Sequence, residues 1–142
     1  MNERERELQA RLAAYSDIPI QIENLQAQLE NLETAAQLHA LPLDHERVSG
    51  GGSFVRSIEN GLIARDALKL KINILEREYK LIQRNLEALT PTEQRVIDVL
   101  CIQRLKHGAE DLSTELCYGI AQIYRIRNNA LKTLSIRLYG TI

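Results

Sequence analysis

Four basic side chains and no acidic one follow Gly119 in this chain of 142 residues. Guanidinium and ammonium groups bind phosphate oxygens and the edges of nucleic-acid bases, and an amide such as that of Gln122 can do the same. The pattern therefore favours a surface that meets a polyanion. The alternative is a packed helix whose charges only keep one face solvated. The four basic residues are Arg125, Arg127, Lys132 and Arg137.

The basic charge is concentrated in the C-terminal part of the chain. Residues 1–90 carry 11 basic and 14 acidic side chains, whereas residues 91–142 carry seven basic and five acidic ones. The net charge of the whole chain is only −1, so the total by itself indicates no partner. Its uneven distribution is typical of a module that binds nucleic acid.

Other kinds of chemistry have little support in the sequence. The three histidines are scattered, and neither they nor Cys101 and Cys117 have the spacing of a zinc site. Gly50–Gly52 lacks the Lys and the Ser or Thr that follow the glycines of a phosphate-binding loop. His45 stands beside Asp44, a pair typical of a solvated loop, and no nucleophile has a base beside it. We therefore expect no enzymatic activity, no metal and no cofactor.

The sequence predicts a cytoplasmic protein. Its N-terminal segment, NERERELQARL, is charged and has no apolar core like that of a signal peptide. No apolar run approaches the roughly 20 residues that a membrane-spanning helix needs. The two cysteines are typical of reduced thiols in a chain without a signal peptide. We expect no contact with a membrane.

Apolar residues recur at helical spacing in the first 89 residues. One series, in steps of three and four, extends from Leu8 to Ala36, and Pro19 predicts a break between Ser16 and Pro19. The prediction is an amphipathic helical segment over residues 1–40, a flexible Gly-rich loop over 41–53 and a long central helix over 54–89. The two helical segments are expected to form an antiparallel hairpin or to pair between subunits.

The central helix carries a second apolar series that is typical of a coiled-coil seam. Seven positions stay in register, which predicts an association surface as well as a core. Leu70, Ile74 and Leu81 widen the series and indicate a helix packed on two sides. The seam consists of Leu68, Ile72, Leu75, Tyr79, Ile82, Leu86 and Leu89.

A different arrangement begins at residue 90. Thr90 can cap a helix whose first residue is Pro91, and Glu93 can bond back to the capping residue. This helix is expected to end near Gly108. A short helix to about residue 116 and a basic helix to about residue 138 follow. Three helices over residues 90–142 predict a helix-turn-helix module, and the fold class of the chain is all-α.

The turn of such a module has its own requirements. A small residue is needed where the third helix crosses the second, and Ser113 meets that need. Four residues later the backbone turns to positive φ, where glycine is usual, and this chain has Cys117. Ile123 is expected to fill the core from the third helix. Further residues expected on that buried face are Ile126, Ala130, Leu131, Leu134 and Leu138.

The segment EDLSTELCYGIAQIYRIRNNALKTL, residues 110–134, resembles the C-terminal helix-turn-helix of sigma factors and sigma-like regulators. The segment LTPTEQRVIDVL, residues 89–100, is similar to the first helix of that module. The layout of the whole chain resembles the phage regulators of the RinA and ArpU kind. The resemblance implies a transcriptional activator of phage late or packaging genes that works in a bacterial host cell. It implies double-stranded DNA as partner, with RNA polymerase as another, and a homo-oligomer.

The resemblance also implies which residues meet DNA. Ile120 and Ala121 are apolar where sigma factors carry polar side chains, so base contacts would fall mainly to Gln122 and Arg125. Arg127, Asn128 and Lys132 lie on or beside the outward face of the same helix. By position, the residues at the major groove would be Gly119, Ile120, Ala121, Gln122, Tyr124 and Arg125.

Two further functions remain open from the sequence. A phage terminase small subunit, which recognises DNA for packaging, also joins a helix-turn-helix to an oligomerising helix. It would assemble into a ring, so its mass in solution distinguishes it. A structural coiled-coil adaptor would use the C-terminal helices only for packing, and the acid-free third helix disfavours it.

Overall fold

The computed structural model describes residues 2–40 and 51–140, and every regular element in these ranges is helical. The all-α class is therefore confirmed. A break between Tyr15 and Ile18 is also confirmed, and Pro19 lies in the first turn of the second helix, where its missing N–H is harmless. The helices are α1 (Glu3–Tyr15), α2 (Ile18–Ala40), α3 (Gly51–Glu87), α4 (Pro91–Ile97), α5 (Gly108–Leu116) and α6 (Ile120–Tyr139).

Two of the helices begin with a reciprocal capping box. At α4 the Glu93 N–H donates to Thr90 Oγ1 at 3.2 Å, and the Thr90 N–H donates to Glu93 Oε1 at 3.3 Å, as the sequence predicts. At α1 the Glu5 N–H donates to Asn2 Oδ1 at 2.8 Å. These bonds satisfy backbone donors that have no partner within a helix.

The start of α3 differs from its predicted position. The predicted loop ended at residue 53, but α3 already includes Gly51 and Gly52. Glycine disfavours a helix by only about 1 kcal/mol, and each residue added to an existing helix gains a hydrogen bond. The rest of the predicted loop, residues 41–50, lies outside the described residues.

The chain forms two compact units that do not follow the boundaries expected from the sequence. One unit is Pro19–Arg77, and the other joins Met1–Ile18 to Glu78–Ile142. In the first unit Ile72 is buried, while Leu25, Leu29 and Leu75 are half-buried. These members of the two predicted apolar series are thus less exposed than Ile63, Leu70 and Ile74 of the same unit.

The second unit contains α1 together with the predicted helix-turn-helix. Leu8 and Leu12 of α1 are each 1% exposed, and they pack in one core with Ile97 and Leu134. Periodicity shows which face of α1 is apolar, but not which distant element covers it. The remaining buried members of this core are Ile82, Leu89, Cys101 and Ala130.

A smaller core joins α4, the residues that follow it, α5 and α6. It consists of Val96, Val99, Leu112 and Ile123. Residues Asp98–Ile102 form a π-helical turn after α4, in which the Gln103 N–H donates to the Asp98 carbonyl at 2.8 Å. α5 then approaches closely, because a Cβ on Gly108 would lie 2.8 Å from Val99 Cγ1.

Candidate nucleic-acid interface

Three residues, Cys117 to Gly119, connect α5 to α6 and set the angle between them. Cys117 has φ 60° and ψ 35°, the left-handed conformation expected at this position of the turn. Ser113 Oγ donates to the Tyr118 carbonyl at 2.5 Å, so the small residue of α5 binds the turn directly. Gly119 caps α6 with extended backbone, φ −67° and ψ 155°. The positive φ expected at Cys117 is confirmed.

α6 is anchored along the face that the sequence predicts to be buried. Ile123 and Ala130 are fully buried and Leu134 is 1% exposed. Each large aliphatic side chain buried in this way contributes about 1.5–3 kcal/mol relative to an exposed one. The anchored face fixes the rotation of α6, and with it the side chains on the opposite face. The half-buried members of the predicted set are Ile126, Leu131 and Leu138.

Gln122 and Arg125 form a pair on the first two turns of α6. Arg125 Nη1 donates to Gln122 Oε1 at 2.9 Å. The Arg125 side chain is exposed and Gln122 is half-buried. The contact orders the guanidinium and leaves the remaining guanidinium donors and the amide NH₂ free to donate outward. Ala121 is exposed beside this pair, and Lys132 is exposed two turns later on the same side of the helix.

Arg127 has a different environment from Arg125. Its guanidinium carbon lies 5.0 Å from the centre of the Tyr124 ring, a cation–π contact. Its Nη2 donates to Asn128 Oδ1 at 3.1 Å. Arg127 is half-buried, whereas Tyr124 and Asn128 are exposed. The sequence places these three residues on the flanks of the outward face, and here they form a cluster on the side of α6.

A shallow groove of about 300 Å³ lies between α1 and α6. From α6 it is lined by Arg127, Asn128 and Lys132, and from α1 by Glu5 and Gln9. The nine predicted site residues therefore fall into two groups. The six of them between Gly119 and Arg125 lie at the start of α6, while Arg127, Asn128 and Lys132 line this groove. Sequence reasoning missed the groove because α1 is more than 100 residues away in the chain.

None of the five acidic side chains of residues 91–142 lies on α6, and three of them lie on α5. Glu115, the one nearest the turn, accepts a hydrogen bond from Arg95 Nε at 3.0 Å. This bond, with the charge of Glu115, raises the pKa of Arg95 above its ordinary value. The guanidinium of Arg95 partly neutralises the Glu115 carboxylate. The carboxylate therefore reduces the positive potential around α6 less than an unpaired one would. The other acids of α5 are Glu110 and Asp111, in its first turn.

The free end of α6 is also rich in exposed apolar surface. Tyr118, Ile120 and Tyr124 are 43%, 44% and 41% exposed. Ile120 and Tyr124 occupy positions that the sequence assigned to the major groove. Apolar side chains at a base edge can contact the methyl group of thymine. The same surface could pack against another protein.

Two other kinds of site are not found in the part of the chain that the structure describes. No group of three His, Cys, Asp or Glu side chains there is placed to hold a metal ion. None of the helices described is both long and apolar enough to span a bilayer. Cys101 is buried, and its burial raises the pKa of the thiol, while Cys117 is exposed in the turn.

Comparison with known proteins identifies no relative of this chain. The chain matches no family model, no curated protein and no solved structure. The function proposed below therefore rests on the residues and the geometry already described.

Proposed function

We propose that this chain is a sequence-specific DNA-binding transcriptional regulator. The observation that carries the proposal is the exposed face of α6, where Gln122, Arg125 and Lys132 offer donors and no acid occurs on the helix. The resemblance to sigma-like phage regulators favours activation of late genes by a homo-oligomer in the cytoplasm of a bacterial host. The proposal includes no catalytic step, metal or cofactor.

The dimensions of α6 suit a recognition helix. It has 20 residues, about 30 Å at 1.5 Å per residue. Its C-terminal half supplies Ala130 and Leu134 to the core, and its first two turns are free on the outer side. In helix-turn-helix proteins the start of the recognition helix contacts base edges, and the preceding helix lies across the backbone. α6 and α5 would take these two roles.

The polar residues of α6 would have different roles in DNA recognition. Arg125 can donate two hydrogen bonds to guanine O6 and N7, a contact worth about 1–3 kcal/mol of discrimination. Its bond to Gln122 holds the guanidinium in place before DNA binds. Lys132, a compact charge farther along the helix, suits a phosphate oxygen. That contact strengthens binding to every sequence through the release of counterions.

The apolar end of α6 supports a second contact of the same regulator. Tyr118, Ile120 and Tyr124 are too exposed for core residues and lie at the tip that would approach DNA. Ile120 can meet a thymine methyl group. If activation involves direct contact with RNA polymerase, this apolar tip is the surface of the module that best fits a protein.

The test is to sequence the DNA fragments that the purified chain retains from a random library. We expect a short shared motif that contains guanine, and we expect the motif to be lost with Gln122→Ala and Arg125→Ala together. The matched control is Asn60→Ala, a change of an exposed side chain on α3, which should retain the motif. Retention of unrelated fragments by the parent chain, at every salt concentration, would refute sequence-specific binding.

A further inference from the structure

α3 has a stripe of large apolar side chains that the chain itself leaves exposed. Ile63, Leu70, Ile74 and Leu81 are 67%, 61%, 56% and 38% exposed. At about 100° per residue these four positions lie within about 40° of one another on the helix. We call them the α3 stripe. Isolated exposed leucines are ordinary, but four in line over about 27 Å form a continuous apolar surface.

The opposite side of α3 is already used within the chain. Ile72 and Ile82 are 7% and 1% exposed, and they lie about 180° and 100° from the stripe. Both belong to the seam that the sequence predicts as an association surface. Because the chain covers them itself, they are not free for another molecule. Among the α3 side chains that the structure describes, the stripe is a continuous apolar face that remains exposed.

We propose that the α3 stripe binds the same stripe of a second copy of this chain, with the two helices antiparallel. The intervals between its residues are seven, four and seven, so the stripe has the same spacing when it is reversed. An antiparallel copy centred near residue 72 would place Leu70 opposite Ile74 of the second copy. Ile63 would then lie opposite Leu81. A symmetric dimer of this kind uses the same patch on both chains.

The charges beside the stripe select the antiparallel orientation. Asp66 and Glu59 flank its N-terminal half, and Arg77 and Arg84 flank its C-terminal half on the same side of the helix. All four side chains are exposed. An antiparallel copy would bring Asp66 near Arg77 and Glu59 near Arg84, twice in the dimer. A two-fold parallel copy would instead place these charges of the two chains on opposite sides of the seam, so that none of the four ion pairs could form.

This inference concerns α3 and does not require α6 to contact DNA. The test is sedimentation of the full chain without DNA, at several concentrations. We expect a dimer of about twice the 16.2 kDa of one chain. Leu70→Gln with Ile74→Gln should weaken association at least tenfold, because both side chains are exposed in one chain and would be buried in two. Ile58→Gln is the matched control, since Ile58 is 46% exposed but lies about 140° from Ile63 on the helix.

Charge reversal tests the orientation and does not depend on the apolar substitutions. Asp66→Arg alone and Arg77→Asp alone should each weaken the dimer, and the two changes together should restore it. Circular dichroism should show unchanged helix content in every variant. A parent chain that stays monomeric at 100 μM would overturn the proposal, and so would stripe variants that keep the mass of the parent. Failure of the double charge reversal to restore the dimer would overturn the antiparallel arrangement.

Discussion

Arg11 of α1 binds Glu78 of α3 through two hydrogen bonds, from Nη2 to Oε1 at 2.5 Å and from Nε to Oε2 at 3.0 Å. Arg11 Nη1 also donates to the Tyr139 hydroxyl at 3.1 Å, so one side chain joins three helices. The hydrogen bond to Glu78 raises the pKa of Arg11 above its ordinary value. α1 is thereby fixed to α6, the helix that carries the candidate interface.

The first prediction concerns the energy of this pair. Arg11 and Glu78 are 20% and 31% exposed, and hydrogen bonds to charged groups of limited exposure contribute about 1.5–3 kcal/mol. A double-mutant cycle with Arg11→Met and Glu78→Gln, measured by urea unfolding, should give a coupling of at least about 1 kcal/mol. The exposed pair Arg95 and Glu115 is the control and should couple more weakly. Equal coupling in the two cycles would contradict a special role for Arg11.

The second prediction concerns the turn. Cys117 has a left-handed backbone, which costs a residue with a Cβ roughly 1–2 kcal/mol. Cys117→Gly removes that cost and adds flexibility to the unfolded chain, so we expect a net gain of about 0.5–1 kcal/mol in the free energy of unfolding. Cys117→Ala keeps the Cβ and should bring no such gain. A lower urea midpoint for the glycine variant would show that the thiol stabilises the turn in another way.

The third prediction uses the two cysteines as probes. Cys101 is 7% exposed, and burial raises the pKa of its thiol, which disfavours the reactive thiolate. Cys117 is exposed in the turn. One thiol per chain should therefore react quickly with a thiol reagent in the native protein, and the second only after unfolding. The variant Cys117→Ser should show no fast reaction, whereas fast reaction in that variant would mean that the core around Cys101 opens readily.

Local features of the fold could be predicted from the sequence because their causes are local. The capping box needs only Thr90 and Glu93, three residues apart, and the turn conformation at Cys117 follows from the helices on either side. The contact between Arg11 and Glu78 joins residues 67 positions apart. Periodicity identified the apolar faces of α1 and α3, but it could not show that Leu8 and Leu12 pack against Ile97.

The candidate site also combines features that the sequence predicts with contacts between distant residues that it does not predict. The outward positions of Gln122 and Arg125 followed from the helical period once Ile123 was assigned to the core. The sequence placed Tyr124 and Arg127 on the flank of α6, but the groove beside Arg127 could not be predicted, because it depends on α1, which is distant in the chain. The exposure of the α3 stripe was also unexpected, since the sequence indicated a helix packed on two sides.

The fourth prediction concerns Lys132 and the salt dependence of binding. If its ammonium group meets a phosphate, Lys132→Ala should weaken binding to all DNA sequences by a similar factor. The slope of log K against log salt should fall by about one unit, since one fewer counterion is released. Titrations at four or more salt concentrations, on a selected duplex and on a random one, measure both effects. Arg56→Ala on α3 is the control and should leave the slope unchanged.

The most direct measurement is the affinity of Arg125→Ala for the selected DNA site and for a random duplex at one fixed salt concentration. If Arg125 reads a guanine, the variant should bind the selected site roughly 5- to 150-fold more weakly, which corresponds to about 1–3 kcal/mol. It should bind random DNA within about threefold of the parent chain, and its helix content should not change. Equal losses on both duplexes, or no loss on either, would contradict recognition of a base by α6.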